Sequence, residues 1–547
     1  MILKSKGRIY KKALGLLGRA NEGGVWPFLG LLAFQIGMIV YFNLTDIRYS
    51  LDSDFANTIY HFREVLRNRT LNLQGWNHTT SLELDAVFLF ALPISYLIHD
   101  LFIAVGIANL IFVFLYVTVV SGILRCVHIS VKNILAVLCL VLTPYSFGML
   151  EYFNMMFYGG ACYSLKTLVP LLFLWLILLL ERQDTSRREN GMAAAASLLL
   201  LFLLFITSYS TGIYVALCGI VPLFGCMLWK AWRAGGWKGI YNWKQTALFL
   251  ACVLVFAAGY LLHCRFYGLA SRTTMNLTRI ENYAINFRAC VRGIFDLFGA
   301  TVSDEVKALS IRGVWYCLKM GFVAILVGNW LLHMKTWFGE GYRGDVKDFL
   351  AALPLFNFLV LLLADSRYTT NPHIEYRYYL IGAIPLILLL GIRLDEWERK
   401  LCQVLSRRTF HIAVWSALLF LMVGNNKSVL DQWDRTSYAV ELCDYFNTLD
   451  IESVFFVNDP NTSNICKGID GNHKYGTFLS ETQRLDLSIC SYLESASGSF
   501  YGAKNALAVF VHTVPADYMP EEIASHYRRV GTVQWFDIYV SDQVWFP

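Results

Sequence analysis

The chain has 547 residues, 56% of them hydrophobic and 15% aromatic but only 16% charged, and its mean hydropathy is +0.47. Soluble globular domains carry about a quarter charged residues, so the composition excludes a string of soluble domains and calls for a large helical membrane domain. The net charge of +6 is divided: residues 425–547 hold 8 Lys and Arg against 16 Asp and Glu, a balance of −8, which leaves +14 on the preceding part. Those basic residues lie in short loops between apolar runs, as in cytoplasmic loops facing anionic lipid, and form no nucleic-acid patch.

Residues 1–24 carry six Lys and Arg before the first apolar run, and no small-residue cleavage site follows that run. This is the pattern of an uncleaved signal anchor. A helical span needs about 20 mostly apolar residues. The chain predicts eleven: 26–44, 101–124, 133–150, 165–180, 192–207, 212–229, 245–263, 313–333, 349–364, 378–392 and 411–424. One apolar stretch, 86–98, is 13 residues long and contains Pro93. It is short for a span and suits an interfacial or re-entrant helix. With that stretch not crossing, segments 125–132, 181–190, 230–244, 334–347 and 393–409 lie on one side and hold 17 Lys and Arg. The connections on the other side, 151–164, 208–211, 265–311 and 365–377, are longer in total and hold 8. The positive-inside bias then places the N-terminus in the cytoplasm and the tail outside.

The tail predicts a small α/β domain. Residues 437–447 have helical spacing, 453–457 and 506–512 are buried-strand runs, and 533–540 alternates. Residues 520–527 form a short helix opened by Pro520, and 458–484, rich in Asn, Asp, Gly and Thr, is a loop. The expected fold is an all-α polytopic membrane domain over 1–424, with about eleven transmembrane helices plus interfacial helices, followed by an extracytoplasmic α/β domain over 425–547. The 13 cysteines show no metal-type spacing; of Cys443, Cys466 and Cys490 in the tail, one pair at most can bridge.

The expected outer face carries the candidate chemistry. Asp52 and Asp54 follow the first span, two residues apart, and in an extended strand they share a face. A carboxylate partly shielded from water has a raised pKa and can act as a base; the pair can also hold a divalent cation, Mg²⁺ or Mn²⁺. Asp54 can instead N-cap an amphipathic helix over 55–67 lying on the membrane, whereas Asp52 favours a functional role. The segment 76–85 crowds Trp76, His78, three hydroxyls, Glu83 and Asp85, and is either a ligand-binding patch or a Ser/Thr cap. Arg377 opens a span amid tyrosines, against the charge bias; it either clamps a phosphate with its fork or snorkels to the interface. The loop with Glu151, Tyr152, Tyr158, Gly159, Gly160 and Tyr163 offers aromatic platforms for a sugar or an isoprenoid, or an interfacial belt. His373, Arg265 and Arg272 are further candidates on this face. The loops 45–100, 151–164 and 365–377 are expected to converge on one outward cavity.

The run Ser50-Leu51-Asp52-Ser53-Asp54-Phe55-Ala56, followed by Gly75-Trp76 and Glu83-Leu84, resembles the GT-C superfamily of integral-membrane glycosyltransferases. The bacterial members related to protein O-mannosyltransferases and aminoarabinose transferases are the most similar in pattern. The resemblance implies a sugar donor carried on polyprenyl phosphate, an extracytoplasmic acceptor, and Asp52 or Asp54 as catalytic base. It further implies that Glu83 and His78 line the pocket, that Arg377 holds phosphate, and that the protein sits among the lipids of a bacterial plasma membrane. A lipid or polysaccharide flippase is the rival class and predicts ionisable residues near mid-span; the spans are nearly free of them, Lys319 near one end being the main exception. A membrane assembly scaffold using its tail for binding is the third.

Overall fold

The computed structural model of the chain describes residues 25–77, 87–146, 152–181, 187–211, 214, 216–233, 236–237, 241–267, 277–302, 306–338, 346–364, 376–401, 414–432, 434–486, 492–514, 517 and 521–544. Among them, eight helices are long and apolar enough to cross a membrane: Val25–Thr45, Leu101–Cys126, Ser164–Glu181, Asn190–Thr211, Trp243–Arg265, Ile311–Lys335, Val346–Leu363 and Arg377–Glu398. The chain is an integral membrane protein with a mostly helical body and a small C-terminal sheet domain.

These eight match eight of the expected spans. The other three differ in extent or regularity. Among the described residues, the run expected over 133–150 is helical at Val131–Val141, and Pro144, which cannot continue it, follows. The run expected over 212–229 holds a π-turn, Ala216–Ile220, before the helix Val221–Arg233 begins. The helix Ser416–Gln432 runs on past the end of the expected 411–424. The stretch 86–98 contains an eight-residue helix, Phe88–Ser95, far too short to span.

Five helices fix the geometry of the site. Helix α1 (Val25–Tyr41) delivers the chain to the loop bearing Asp52. Helix α2 (Ser53–Asn68) follows at once. Helix α3 (Leu101–Cys126) begins where Asp100 accepts the backbone N–H groups of Phe102 and Ile103, closing two of the donors a helix start leaves open. Helix α4 (Ser164–Glu181) is packed on α3, and helix α5 (Leu380–Leu401), mostly buried, runs through the middle of the bundle.

The C-terminal sheet contains β1 (Ser453–Val457), β2 (Lys474–Leu479), β3 (Arg484–Leu485), β4 (Asn505–Phe510), β5 (Arg528–Val533) and β6 (Phe536–Ser541), in the order β3-β2-β1-β4-β6-β5. The centre, β2-β1-β4, is parallel, and the remaining pairings are antiparallel. A parallel centre needs both faces covered, and β1 is buried along its length. Val454 and Phe456 face the main core with Phe446, while Phe455 and Val457 face a second cluster with Tyr501 and Leu507, the period-two alternation of a strand.

The tail departs from expectation at 458–484. That segment is not a loop: it holds helix α6 (Pro460–Ile469) as well as β2 and β3. The signal was present as Asp459-Pro460, a capping acid followed by proline at the first helical position; the polar composition of the segment hid it. Cys443 and Cys466 are buried free thiols, and Cys490 lies outside the described residues.

The sheet domain is sewn to the first loop. The backbone N–H groups of Arg435 and Thr436 donate to the Tyr49 carbonyl at 2.8 and 3.0 Å. Arg63 on α2 donates to the carbonyls of Lys467, Gly468, Ile469 and Asp470, which end α6, at 2.7 to 3.2 Å. A guanidinium on the unsatisfied carbonyl end of a helix satisfies them and opposes its dipole. Gly468 permits the approach: a Cβ there would lie 2.7 Å from Ala56 Cα. Helix α2 is therefore held between the membrane bundle and the tail.

Candidate functional site

The sequence offers Asp54 as either a cap for α2 or a functional acid. The structure assigns the cap position to Asp52. Its backbone is extended, its Oδ1 accepts the Phe55 N–H at 2.7 Å, and the Ala56 N–H reaches its carbonyl at 2.8 Å. Asp54 lies two residues beyond the cap, in the first turn, where an acid favours the helix dipole. The exchange has a simple cause: the helix starts two residues earlier than the apolar periodicity shows, because Ser53 and Asp54 occupy its first turn.

Capping does not remove Asp52 from chemistry. Asp52 is only 4% exposed. Burial pushes its carboxyl up to about 7 and the neighbouring Asp54 charge adds to that, while the Phe55 N–H and the Arg377 guanidinium oppose it. Asp54 is different: its side chain is 65% exposed, and its Oδ2 takes a 2.7 Å ion pair from Arg377 Nη1. Arg377 stands on the 3₁₀ turn Tyr376–Tyr379 at the head of α5. The first loop and the 365–377 connection thus meet at this pair.

The 151–164 connection meets them as well. Gly159 and Gly160 lie on the Phe55 ring, and a Cβ on Gly160 would come within 2.8 Å of it. Gly159 has φ +60°, a conformation that suits glycine. Asn109 on α3 holds this turn, donating to the Gly159 carbonyl and to Asn43 Oδ1, both at 2.8 Å. Tyr158 is buried, edge-on to Phe42 at 6.0 Å and tilted against Phe153 at 5.8 Å. It sits in the packing beneath the turn.

One residue here was missed in the sequence. Lys166, on the first turn of α4, lies with its Nζ 4.8 Å from the centre of the Tyr163 ring. Beside it, burial pushes the Cys162 thiol up to about 11, with Lys166 and Arg377 opposing and Asp52 and Asp54 reinforcing. Two acids and two cations therefore act on one point. Lys166 opens a span from the lysine-poor side, the same departure from the charge bias that marks Arg377, so the signal existed. A ring path, Tyr163 to Tyr214 at 6.5 Å and Tyr214 to Tyr378 at 6.4 Å, joins the two cations.

Trp76 is placed elsewhere. It is buried on the second half of α2, stacked on His61 at 4.5 Å and edge-on to Tyr492 at 5.0 Å, and it pairs by backbone with Tyr492. It fastens the end of the first loop to the tail. Arg265 closes a span with an exposed side chain. His78, Glu83, Glu151, Arg272 and His373 lie outside the described residues. Among the described residues no three His, Cys, Asp or Glu side chains gather as metal ligands do. Asp54 is already engaged by a guanidinium and Asp52 by a backbone N–H, so the pair is a poor donor set for Mg²⁺ or Mn²⁺, which take a larger shell of oxygens.

No family model matches the chain, and no curated protein matches it in sequence. Among solved structures, the chain is similar to ArnT from Cupriavidus metallidurans in the apo state. The TM-score is 0.58 at 11% identity, over 95% of this chain and 98% of that one. It is also similar to ArnT from the same organism bound to undecaprenyl phosphate, with a TM-score of 0.55 at 9% identity, over 94% and 97% of the two chains. The likeness runs end to end, and it shows that the chain has the GT-C fold expected from its first-loop motif.

Proposed function

We propose that this protein transfers a glycosyl group from a polyprenyl-phosphate carrier to a hydroxyl of an acceptor at the outer face of a bacterial plasma membrane. The observation that carries the reading is Asp52: a buried carboxyl with its pKa pushed up to about 7, set where three connections on one face of the bundle converge. A base poised near the working pH is what removal of a hydroxyl proton requires. The general kind is supported by the fold, since ArnT has been captured with undecaprenyl phosphate.

In this mechanism Asp52 takes the proton of the acceptor hydroxyl as its oxygen attacks the anomeric carbon. The bond from that carbon to the phosphate oxygen breaks, and the electron pair leaves with the polyprenyl phosphate. Arg377 and Lys166 stabilise the charge that develops there. A single direct displacement inverts the anomeric centre. Asp54 holds Arg377 until the phosphate competes for it; the forked guanidinium suits a phosphate as well as a carboxylate. The resemblance implies substrate-binding roles for His78 and Glu83. The charge bias sets the orientation: N-terminus in the cytoplasm, site and tail outside.

The direct experiment is transfer from a polyprenyl-phosphate sugar by purified protein and its Asp52→Asn variant. Asparagine caps a helix as well as aspartate does, so the substitution removes the base and keeps the cap. Full transfer by Asp52→Asn would refute the role of Asp52. Cysteine labelling tests orientation, with the tail expected to react from outside and the 230–244 loop from inside; reaction of both from one side would reject the topology.

A further inference from the structure

A second site lies at the other end of α2. Between its last two turns and the tail is an open cleft of about 390 Å³. Its walls come from both parts of the molecule: Tyr60 and Arg67 from α2, and His473, Lys474, Tyr492 and Phe500 from the tail. A smaller cavity against the same rings extends it toward Lys467 and Ser495. Twelve residues separate Asp52 from Glu64 on the cleft floor, about 18 Å along a helix. The cleft is therefore distinct from the Asp52 corner.

The floor is rigid. Glu64 is buried and accepts from Arg67 Nη1 at 2.9 Å and from the Tyr492 hydroxyl at 3.1 Å. His473 is held by Asp470 at 2.7 Å, and the Asp470 carboxylate also accepts from the Tyr475 hydroxyl at 2.7 Å. The ring faces stand above this network: Tyr492 and Phe500 lie 6.4 Å apart, tilted by 37°, and Lys474 Nζ sits 4.4 Å from the centre of the Phe500 ring. Arg67, Asn68, Asn472, Lys474 and Glu494 are exposed at the rim.

Rings mixed with both donors and acceptors, and no excess of one charge, suit a ligand with apolar C–H faces and a surround of hydroxyls. An anion would want the carboxylates absent, and an apolar chain would want the ammonium and guanidinium absent. We infer that this cleft binds a saccharide chain, which we identify with the glycan portion of the acceptor. The identification as acceptor rests on the transfer reading above; saccharide binding does not. A site built across the α2–tail boundary would also explain why the tail is fastened to the first loop, for the tail would then supply acceptor recognition to chemistry done by the bundle.

The test is saturation-transfer NMR on the full-length protein in nanodiscs with maltoheptaose, cellohexaose and chitohexaose as probes. At least one should bind saturably, and Lys474→Ala with Phe500→Leu should weaken it at least tenfold. Lys474 lies at the rim and Phe500 is half-buried against the tail's second cluster, where leucine keeps an apolar side chain; circular dichroism checks that the fold survives. Asp52→Asn should bind as the unaltered protein does. Saturable binding by an unaltered protein that transfers no sugar from a polyprenyl-phosphate donor would remove the acceptor identification and keep the site. Absence of saturable binding by all three probes would overturn the proposal, as would binding indifferent to the rim variants. Binding only of dextran sulfate, abolished by salt, would overturn it in favour of an anion site.

Discussion

The two ends of the bundle both bury charge, and they do it in opposite ways. At the end opposite the Asp52 site, Lys132 is held by both oxygens of Glu398 at 2.6 and 2.7 Å, Asn133 donates to Asp395 at 2.6 Å, and His333 and Trp337 both contact Asp348, at 2.9 and 2.7 Å. Each charge there meets an opposite charge or a donor, and the contacts tie helices together. At the Asp52 end a buried carboxyl lies beside a second carboxyl, and the Arg377 guanidinium pairs with the exposed one. Full pairing is what structural charges need. A buried acid set beside another acid and shifted toward neutrality is the arrangement of a functional group.

The largest effect is expected at Lys132. Lys132→Met leaves Glu398 buried without its partner and should cost about 3–5 kcal/mol, seen as a large fall in thermal stability. Adding Glu398→Leu should restore most of it. If the single variant is as stable as the unaltered protein, the pairing at this end holds nothing.

At Asp52 the sign differs. Its carboxyl titrates near 3.8 when unfolded and about 7 when folded. This group therefore favours the folded state below pH 4 and loses that contribution as pH rises through about 7. The shift of about three units corresponds to up to about 4 kcal/mol. Asp52→Asn should match the unaltered protein in stability at pH 4 and exceed it at pH 8, by thermal melting in one detergent. Equal differences at both pH values would mean that the carboxyl is not shifted.

Turnover should respond less in energy but more visibly. Asp52→Asn should lower it on the order of a hundredfold, and the rise of kcat/KM through pH 7 should disappear. Smallest is Arg377→Lys. A point charge replaces a fork, so kcat/KM should fall about tenfold. Stability should move by less than about 1 kcal/mol, because lysine keeps the charge and the Asp54 side of the pair is exposed. A larger stability loss than activity loss would make Arg377 a structural residue.

The membrane architecture was legible because lipid enforces it: a run of about 20 apolar residues has few alternatives to a helix. The acids of the first loop were legible because two carboxylates directly after an apolar span stand out. Their roles were not, since the start of α2 depends on where the chain turns against Thr436 and the tail, a contact 385 residues away in sequence. Helix α6 was hidden by its polar composition; it is ordered by packing on α2 through Gly468, which no local pattern reveals. Trp76 looked like a ligand platform for the same reason, because its partner Tyr492 is distant in the chain.

The central claim is that Asp52 carries a proton near neutral pH. Infrared difference spectroscopy of the full-length protein, titrated from pH 4 to pH 9, reports it without any substrate. A carboxylic-acid carbonyl band should vanish with a midpoint near 7, and Asp52→Asn should lack that transition while Asp54→Asn shifts it downward. A midpoint near 4 in the unaltered protein, or a neutral-pH transition that persists in Asp52→Asn, would contradict the account.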